Sequence, residues 1–206
     1  MFEEYKKELA DICQLLYERR LVFGADGNVS MRMPDGYHIL LTPSKMNKGR
    51  VTPDHILILN MQGEVVEGEG KPSKEFPMHR AVYEARGDIG AVIHTHPVYA
   101  TAFAIAGHTI PDNYTIESTM FLKKTVLTDY ATPGTEGMAD VIRPYLTDTE
   151  VFLLKNHGAI TCGKNLIEAF NKMECLESTA KAVVMSKLIG EPVPISESNM
   201  EQLRRR

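Results

Sequence analysis

The segment Gly90-Ala91-Val92-Ile93-His94-Thr95-His96-Pro97 decides how the chain folds and what it can bind. Its apolar half predicts a buried strand over Gly90–His96, and Pro97 opens a helix-like run that reaches Ala106. Because successive side chains of a strand point to opposite faces, the imidazoles of His94 and His96 share one face. Two such imidazoles can bind the same metal ion, although a single pair is weak evidence for a metal site.

Outward from this segment, short apolar runs bounded by Gly, Pro or Asp predict further strands. These runs are Val29–Met33, Tyr37–Thr42, Ile56–Asn60, Val65–Val66, Thr125–Leu127, Val151–Leu154 and Ala159–Thr161. Apolar residues at helical spacing predict helices over 3–20, from Ser73 onward, over Gly134–Tyr145, and over a long final stretch. Asn165 and Glu168 form a capping box at the start of that last helix, and Gly190 ends it.

The order of these elements predicts an α/β fold. Helices and strands interleave without a regular βαβ alternation, and no internal repeat or low-complexity linker is present. We therefore expect a single three-layer domain over residues 1–206, with a tail from about residue 191. Its central sheet should be mixed or mainly antiparallel and flanked by helices.

Composition excludes several classes of protein. The 206 residues are 43% hydrophobic, enough for one substantial core, and the net charge of −4 argues against nucleic-acid or membrane binding by bulk electrostatics. Arg204-Arg205-Arg206 is the one basic cluster, expected to be a solvated tail. No run reaches the roughly 20 apolar residues of a membrane span. Three cysteines without a CxxC pair fit a reducing compartment, so a cytoplasmic protein is expected.

A third imidazole and a carboxylate are candidates to complete a metal site. His157 lies in the turn Asn156-His157-Gly158 between two apolar strands, where Gly158 could adopt a positive φ. Three protein ligands and one open position are typical of catalytic zinc. Glu75 sits at a helix start, where it could equally complement the helix dipole. His157 alone could be an ordinary turn residue, and His79 is expected to support the core and not to bind metal.

Three loops could receive an anion. Gly24–Ser30 offers free backbone NH groups, Thr42-Pro43-Ser44-Lys45 offers hydroxyls and an ammonium, and Pro72-Ser73-Lys74 precedes a helix. Each loop is by itself also explained as a turn.

These motifs, in this order and spacing, resemble those of the class II aldolase/adducin family over roughly residues 5–190. The resemblance implies that family's fold, with His94, His96 and His157 as zinc ligands. It implies that Glu75 completes the coordination without substrate and then acts as a base. It also implies a homotetramer with active sites at subunit interfaces, and phosphate contacts from Asn28, Ser44 and Ser73.

Two positions depart from the fuculose-phosphate aldolases of this family. Lys45 replaces a glycine and Lys74 replaces a second phosphate-binding serine, so both lysines are interpreted as contacts to phosphate or to another anion. Tyr114 is the expected general acid, although an ungapped count places Thr115 opposite the family's catalytic tyrosine.

The resemblance implies a class II, zinc-dependent aldehyde-lyase, although Mn²⁺, Co²⁺ or Fe²⁺ also suit such ligands. Its expected reaction is reversible aldol cleavage of a small phosphorylated sugar, a ketose 1-phosphate like L-fuculose 1-phosphate, to dihydroxyacetone phosphate and a small aldehyde. Epimerases of the family typically have an aspartate at the position of Glu75, whereas dehydratases and decarboxylases of sugar phosphates share the glutamate. A non-catalytic adducin-like binding module would lack the histidines, and a metal-binding regulatory domain is the remaining alternative.

Overall fold

An open sheet of eight strands forms the centre of the protein, a computed structural model that describes residues 2–205. The strands are β1 (Asn28–Arg32), β2 (His38–Leu41), β3 (Leu57–Asn60), β4 (Val65–Glu67), β5 (Ala91–Thr95), β6 (Thr125–Leu127), β7 (Val151–Leu154) and β8 (Gly158–Gly163). Their spatial order is β4-β3-β2-β1-β5-β8-β7-β6. Only the β6–β7 pair is parallel, which confirms the expected mixed and mainly antiparallel sheet.

Strand β5 lies between β1 and β8 and is antiparallel to both. Asn28 at the start of β1 pairs with His94, and Ala159 near the start of β8 pairs with Thr95. All five residues of β5 are buried. This register brings the histidine end of β5 beside the loop that enters β1 and the turn that enters β8.

Helices cover both faces of the sheet. They are α1 (Glu3–Glu18), α2 (Phe76–Ala85), α3 (Val98–Ala106), α4 (Gly137–Asp140), α5 (Leu166–Ile189) and α6 (Glu197–Arg204). Alternate strand residues lie on opposite faces of the sheet, and each face has its own hydrophobic core. Val29 and Ile93 pack with α1, α3 and α5 on one face, and Val92 and Phe152 pack with α2 and α4 on the other. The three-layer prediction is therefore confirmed.

Two predicted helices differ from the structure. The helix expected from Ser73 begins at Phe76, so Glu75 precedes the helix and does not lie in its first turn. The helix expected over Gly134–Tyr145 is only the short α4 followed by a 3-10 turn, Arg143–Tyr145. Gly134 has a left-handed φ of 78°, and Pro144 lacks the NH that a continuing helix needs. A π-helical turn, Ser118–Leu122, was not predicted.

The C-terminal segment is more ordered than a tail. The Asn165 side chain caps α5 by accepting from the backbone NH of Glu168, as expected, and Gly190 follows the last turn. The other half of the predicted capping box differs, because the Glu168 side chain accepts from the NH of Lys164 and not from that of Asn165. Helix α5 is not the final helix, however, because α6 follows and its Met200 is 1% exposed. Arg204 lies within α6 and pairs with Asp112, while Arg206 lies outside the described residues. Over residues 2–205, none of the helices is long and apolar enough to cross a membrane.

We expect truncation of a leucine in the central sheet to be costly. Leu153 of β7 is fully buried, so Leu153→Ala should lower the free energy of unfolding by about 2–5 kcal/mol. Leu188 near the end of α5 is 76% exposed, and Leu188→Ala should change it by less than about 0.5 kcal/mol. Urea unfolding of both variants measures the difference; equal losses would contradict the assignment of the core.

Candidate metal centre

Three imidazoles meet at the edge of the sheet where β5 ends. The candidate ligand atoms of His94, His96 and His157 all lie within 4.8 Å of one another. The Nε2 atoms of His94 and His96 are 3.2 Å apart. Two nitrogen ligands at the usual zinc–nitrogen distance and a tetrahedral angle would be about 3.3 Å apart. The predicted convergence of the three histidines is therefore present in the structure.

Burial keeps these imidazoles neutral. His94 is fully buried, and its pKa lies well below the ordinary histidine value because of that burial and the neighbouring His96 and His157. Burial also lowers the pKa of His96 and of His157. The Nδ1–H of His94 donates to the carbonyl oxygen of Ala159 over 2.9 Å, so its Nε2 lone pair faces the cluster. A neutral imidazole with a free lone pair is the form that binds a metal ion.

The turn that contains His157 has a different backbone conformation from the predicted one. The left-handed residue is Asn156, with φ 56°, and not Gly158. Gly158 is needed for space, since a Cβ there would overlap the His96 ring and lie 2.6 Å from the carbonyl oxygen of Thr95. The absent side chain allows the turn to pack directly against β5. His157 is thereby held beside the other two imidazoles.

Glu75 supplies a carboxylate to the cluster. Its Oε2 lies 3.4 Å from Nε2 of His94, and its Oε1 lies 3.3 Å from Nε2 of His157. The amide nitrogen of Asn28 donates to Oε2 over 2.7 Å. Glu75 thus contacts two of the three histidines while a neutral amide holds it in place.

Two of the predicted anion loops are joined beside Glu75. An isolated antiparallel bridge pairs Pro43 with Pro72, and the NH of Ser44 donates to the carbonyl of Lys71 over 2.9 Å. The hydroxyl oxygen of Ser73 accepts from Nδ2 of Asn28 over 3.1 Å and from the NH of Glu75 over 3.2 Å. Since both lone pairs of this oxygen are used, the hydroxyl hydrogen of Ser73 remains available to a ligand.

Lys45 and Lys74 extend from these two loops into solvent. Both are exposed, and neither ammonium forms an ion pair with another residue in the described part of the chain. Lys45 has a φ of 62°, in the left-handed region where glycine is favoured. The lysine at this position therefore strains the backbone, while it places a positive charge near the loop hydroxyls.

Sequence reasoning missed Lys48, which is only 1% exposed. Its ammonium donates to the carbonyl oxygens of Met46 over 2.9 Å and of Ala25 over 3.2 Å, and so fixes the loop that enters β1. Burial lowers its pKa. Nothing in the sequence distinguishes Lys48 from a surface lysine. In the same loop, Asp26 was not singled out, although a carboxylate oxygen of it lies 3.9 Å from Nδ1 of His96.

Tyr114 is not connected to the cluster. It lies in the bend before the π-helical turn, and no hydrogen bond or ion pair links it to Glu75 or the histidines among residues 2–205. Helix α6 and the residues before it contact this segment. The NH of Ile195, which precedes α6, donates to the carbonyl of Asn113, and the Thr119 hydroxyl contacts the sulfur of Met200 in α6.

The described clefts lie elsewhere on the chain. One of about 750 Å³ is bounded by α5 and the π-helical turn, with Arg19, Phe121 and Lys181 in its wall, and it includes none of the predicted site residues. The candidate site is therefore identified by its three histidines and its carboxylate, and not by a deep cavity in one chain.

The donor set fits a divalent ion. Nδ1 of His157 is buried without a hydrogen-bond partner in the described structure, although buried polar atoms usually have one. Three neutral imidazoles and a carboxylate lie close together, and few hydrogen-bond donors occupy their lone pairs. Such a set of nitrogen and oxygen donors suits zinc and several other transition metals.

The chain is similar to known proteins along most of its length. The family model for the class II aldolase and adducin N-terminal domain matches residues 7–184. An L-fuculose phosphate aldolase of Methanococcus maripaludis is 38% identical over 174 residues, which cover 84% of this chain and 93% of that protein. A 3-oxo-tetronate 4-phosphate decarboxylase of Escherichia coli is 32% identical over 185 residues, covering 88% and 86%.

A solved structure shares the fold. An L-fuculose 1-phosphate aldolase superposes with a TM-score of 0.89 at 33% identity, covering 97% of this chain and 94% of that one. Together with the family match over residues 7–184, this establishes the relationship that the motifs implied. The chain belongs to the family of class II aldolase and adducin N-terminal domains.

Proposed function

We propose that this protein is a zinc-dependent lyase that reversibly cleaves a ketose 1-phosphate, similar to L-fuculose 1-phosphate, to dihydroxyacetone phosphate and a small aldehyde. The observation that carries the proposal is the contact of Glu75 with two neutral imidazoles of a three-histidine cluster. His94, His96 and His157 would hold the ion, with Glu75 as a further ligand before substrate binds. Mn²⁺, Co²⁺ or Fe²⁺ would suit the same donors.

The bound ion would supply Lewis-acid stabilisation of the negative charge that develops on the dihydroxyacetone phosphate fragment. The residues around it hold the substrate and move protons. In cleavage, the C4 hydroxyl would pass its proton through the Tyr114 hydroxyl to solvent, the C3–C4 bond would break, and the electron pair of that bond would pass to the dihydroxyacetone phosphate fragment. Glu75 would enter this step protonated and would regain its proton from solvent afterwards. Glu75 gives a proton to C3 of that fragment, and in condensation it takes the same proton back.

Glu75 is suited to this exchange by its surroundings. Its side chain is 15% exposed, so bulk water has limited access to it. The amide of Asn28 that donates to Oε2 is neutral and does not fix a second charge beside the carboxylate. Glu75 can therefore exchange one proton without breaking an ion pair with a lysine or arginine.

The two bridged loops would receive the phosphate. The Ser73 hydroxyl has a free hydrogen, Ser44 lies across the Pro43–Pro72 bridge, and Asn28 lies between them and the cluster. The exposed ammonium groups of Lys45 and Lys74 would add positive charge at the rim. A dianion would thus meet hydroxyl donors inside the site and lysines outside it.

Tyr114 would exchange the proton on the C4 oxygen, from this chain or from a neighbouring one.

We propose a homotetramer because of the family resemblance, with the active site completed at a subunit interface. A cytoplasmic location is supported by the cysteines, since Cys13 and Cys162 are buried free thiols.

A decarboxylase is the second candidate. It is supported by the similarity to the Escherichia coli 3-oxo-tetronate 4-phosphate decarboxylase. Lys45 and Lys74 also favour it, since such a substrate has a carboxylate in addition to its phosphate. Both reactions leave negative charge on a carbon next to a carbonyl group, so the same cluster could serve either.

A substrate panel tests the proposal. We expect the zinc-loaded protein to release dihydroxyacetone phosphate from at least one of the 1-phosphates of fuculose, rhamnulose and ribulose, measured with a reductase-linked assay. The same protein should release no carbon dioxide from 3-oxo-tetronate 4-phosphate. Carbon dioxide release, with no cleavage of the ketose phosphates, would favour the decarboxylase instead.

Glu75→Gln should separate proton transfer from metal binding. We expect kcat for cleavage to fall by about 10²–10⁴-fold, because the amide cannot exchange a proton, while the three histidines still retain metal. Glu84→Gln, near the other end of α2, is the matched control and should retain the parent kcat. Turnover of Glu75→Gln at the parent rate would exclude Glu75 as the base.

Gly158→Ala should disturb the metal centre through His96. The added methyl group would overlap the imidazole ring, and we expect zinc affinity to fall by at least about 10-fold in a competition titration with a chelator. Gly87→Ala is the control, since a Cβ there meets no atom within 4 Å. Parent-like zinc affinity in Gly158→Ala would contradict a role for His96 as ligand.

A further inference from the structure

A chain of buried side chains lies behind Glu75, and the mechanism above uses only the last of them, Asn28. This hydrogen-bond chain consists of Tyr83, Ser30, His79 and Asn28. None of these four side chains is more than 3% exposed. Ser30 Oγ lies 2.7 Å from the Tyr83 hydroxyl and 2.7 Å from Nδ1 of His79. Nε2 of His79 is hydrogen-bonded to Oδ1 of Asn28. Asn28 completes the chain by donating to Glu75.

The direction of the hydrogen bonds follows from the Glu75 end. An ionised carboxylate only accepts, so the Asn28 group facing Glu75 must be the amide NH₂. Its two hydrogens have two acceptors, Oε2 of Glu75 at 2.7 Å and Oγ of Ser73 at 3.1 Å. Oδ1 of Asn28 therefore faces His79 and needs a donor there. That donor can only be Nε2–H of His79.

The contacts at the other end of the chain are compatible with this tautomer. Full burial lowers the pKa of His79 to about 3, so the ring carries one proton, and Nδ1 is left as an acceptor. The hydroxyl of Ser30 donates to Nδ1 and accepts from Tyr83. Burial raises the pKa of Tyr83, which therefore remains a neutral phenol that can donate. Every donor along the chain is thus directed toward Glu75.

We propose that His79 is a positioning residue that holds the Asn28 amide in one orientation, with both of its hydrogens directed at Glu75 and Ser73. The inference rests on the proposed function in that Glu75 is the proton-transfer group. Without a donor at Nε2, the amide can rotate by half a turn and present its oxygen to the carboxylate. The two oxygens would repel each other, and Glu75 would lose its place beside His94 and His157.

The tautomer of His79 can be measured directly in the parent protein. Nuclear magnetic resonance of protein with labelled histidine nitrogens should show a proton on Nε2 and none on Nδ1, with a slowly exchanging Nε2–H. The signals are assigned by their loss in His79→Asn or His79→Gln. A proton on Nδ1, or on both nitrogens, would overturn the inference, and this measurement needs no activity.

Two variants separate hydrogen-bond donation from space filling. The amide nitrogen of Gln can reach the position of Nε2, whereas the amide of Asn reaches only the position of Nδ1. We expect His79→Asn to lower kcat by about 10–100-fold with a smaller change in KM, and His79→Gln to stay within about fivefold of the parent. His55→Asn is the matched control and should keep the parent kcat. The Nδ1 of His55 accepts a hydrogen bond from the NH of Thr52, and this contact lies away from the site. Equal loss in both His79 variants, or parent kcat in His79→Asn, would overturn the inference.

Metal affinity distinguishes this inference from the proposed function. If the parent cleaves no ketose phosphate, the proposed function fails, but the role of His79 can still be read from zinc binding. We expect about 10-fold weaker zinc binding in His79→Asn than in His79→Gln, because a displaced Glu75 no longer completes the ligand set. Equal affinity in the two variants would count against positioning, whatever the substrate proves to be.

Discussion

The antiparallel pairing of β5 with β1 on one side and β8 on the other is the constraint on which the site depends. It places the end of β5, the start of β1 and the start of β8 at one edge of the sheet. His94, Asn28 and His157 are thereby neighbours, although they are far apart in sequence. A shift of one residue in either pairing would turn His94 toward the opposite face of the sheet. The backbone register, and not any individual side chain, therefore determines whether the three imidazoles can meet.

Much of this arrangement could be predicted from the sequence. The alternation of strand side chains is enough to put His94 and His96 on one face, and the apolar runs around Asn156-His157-Gly158 are enough to place a turn there. The residue that adopts the positive φ could not be predicted, because both Asn156 and Gly158 tolerate it. Which of the two needs space depends on how the turn packs against His96, a contact between distant segments. The late start of α2 has a similar cause, because the Ser73 hydroxyl is bonded to Asn28 and Glu75 rather than to the first turn.

The buried polar groups were the least predictable part. The sequence around Lys48, Ser30 and Tyr83 does not indicate burial. His79 was expected in the core, but its partners could not be predicted because they lie on other elements. A hydrogen bond from Lys48 to the carbonyl of Ala25 spans 23 residues, and the contact of Ser30 with Tyr83 spans 53. The local spacing of apolar residues in the sequence does not predict hydrogen bonds between such distant residues. They are nevertheless costly to bury without partners, so each of them restricts how the surrounding segments can pack.

The strand order also has a consequence for the assembly of the polypeptide. The hydrogen bond between His94 and Ala159 closes a separation of 65 residues, and the pairing of β1 with β5 closes a similar distance. Non-local pairings of this kind form late in folding, because the entropy of loop closure opposes them. A partly folded chain has no three-histidine site, so a cation can stabilise only the completed sheet. A metal ion bound at this site would therefore stabilise the native topology relative to the unfolded chain, and its removal would lower the free energy of unfolding.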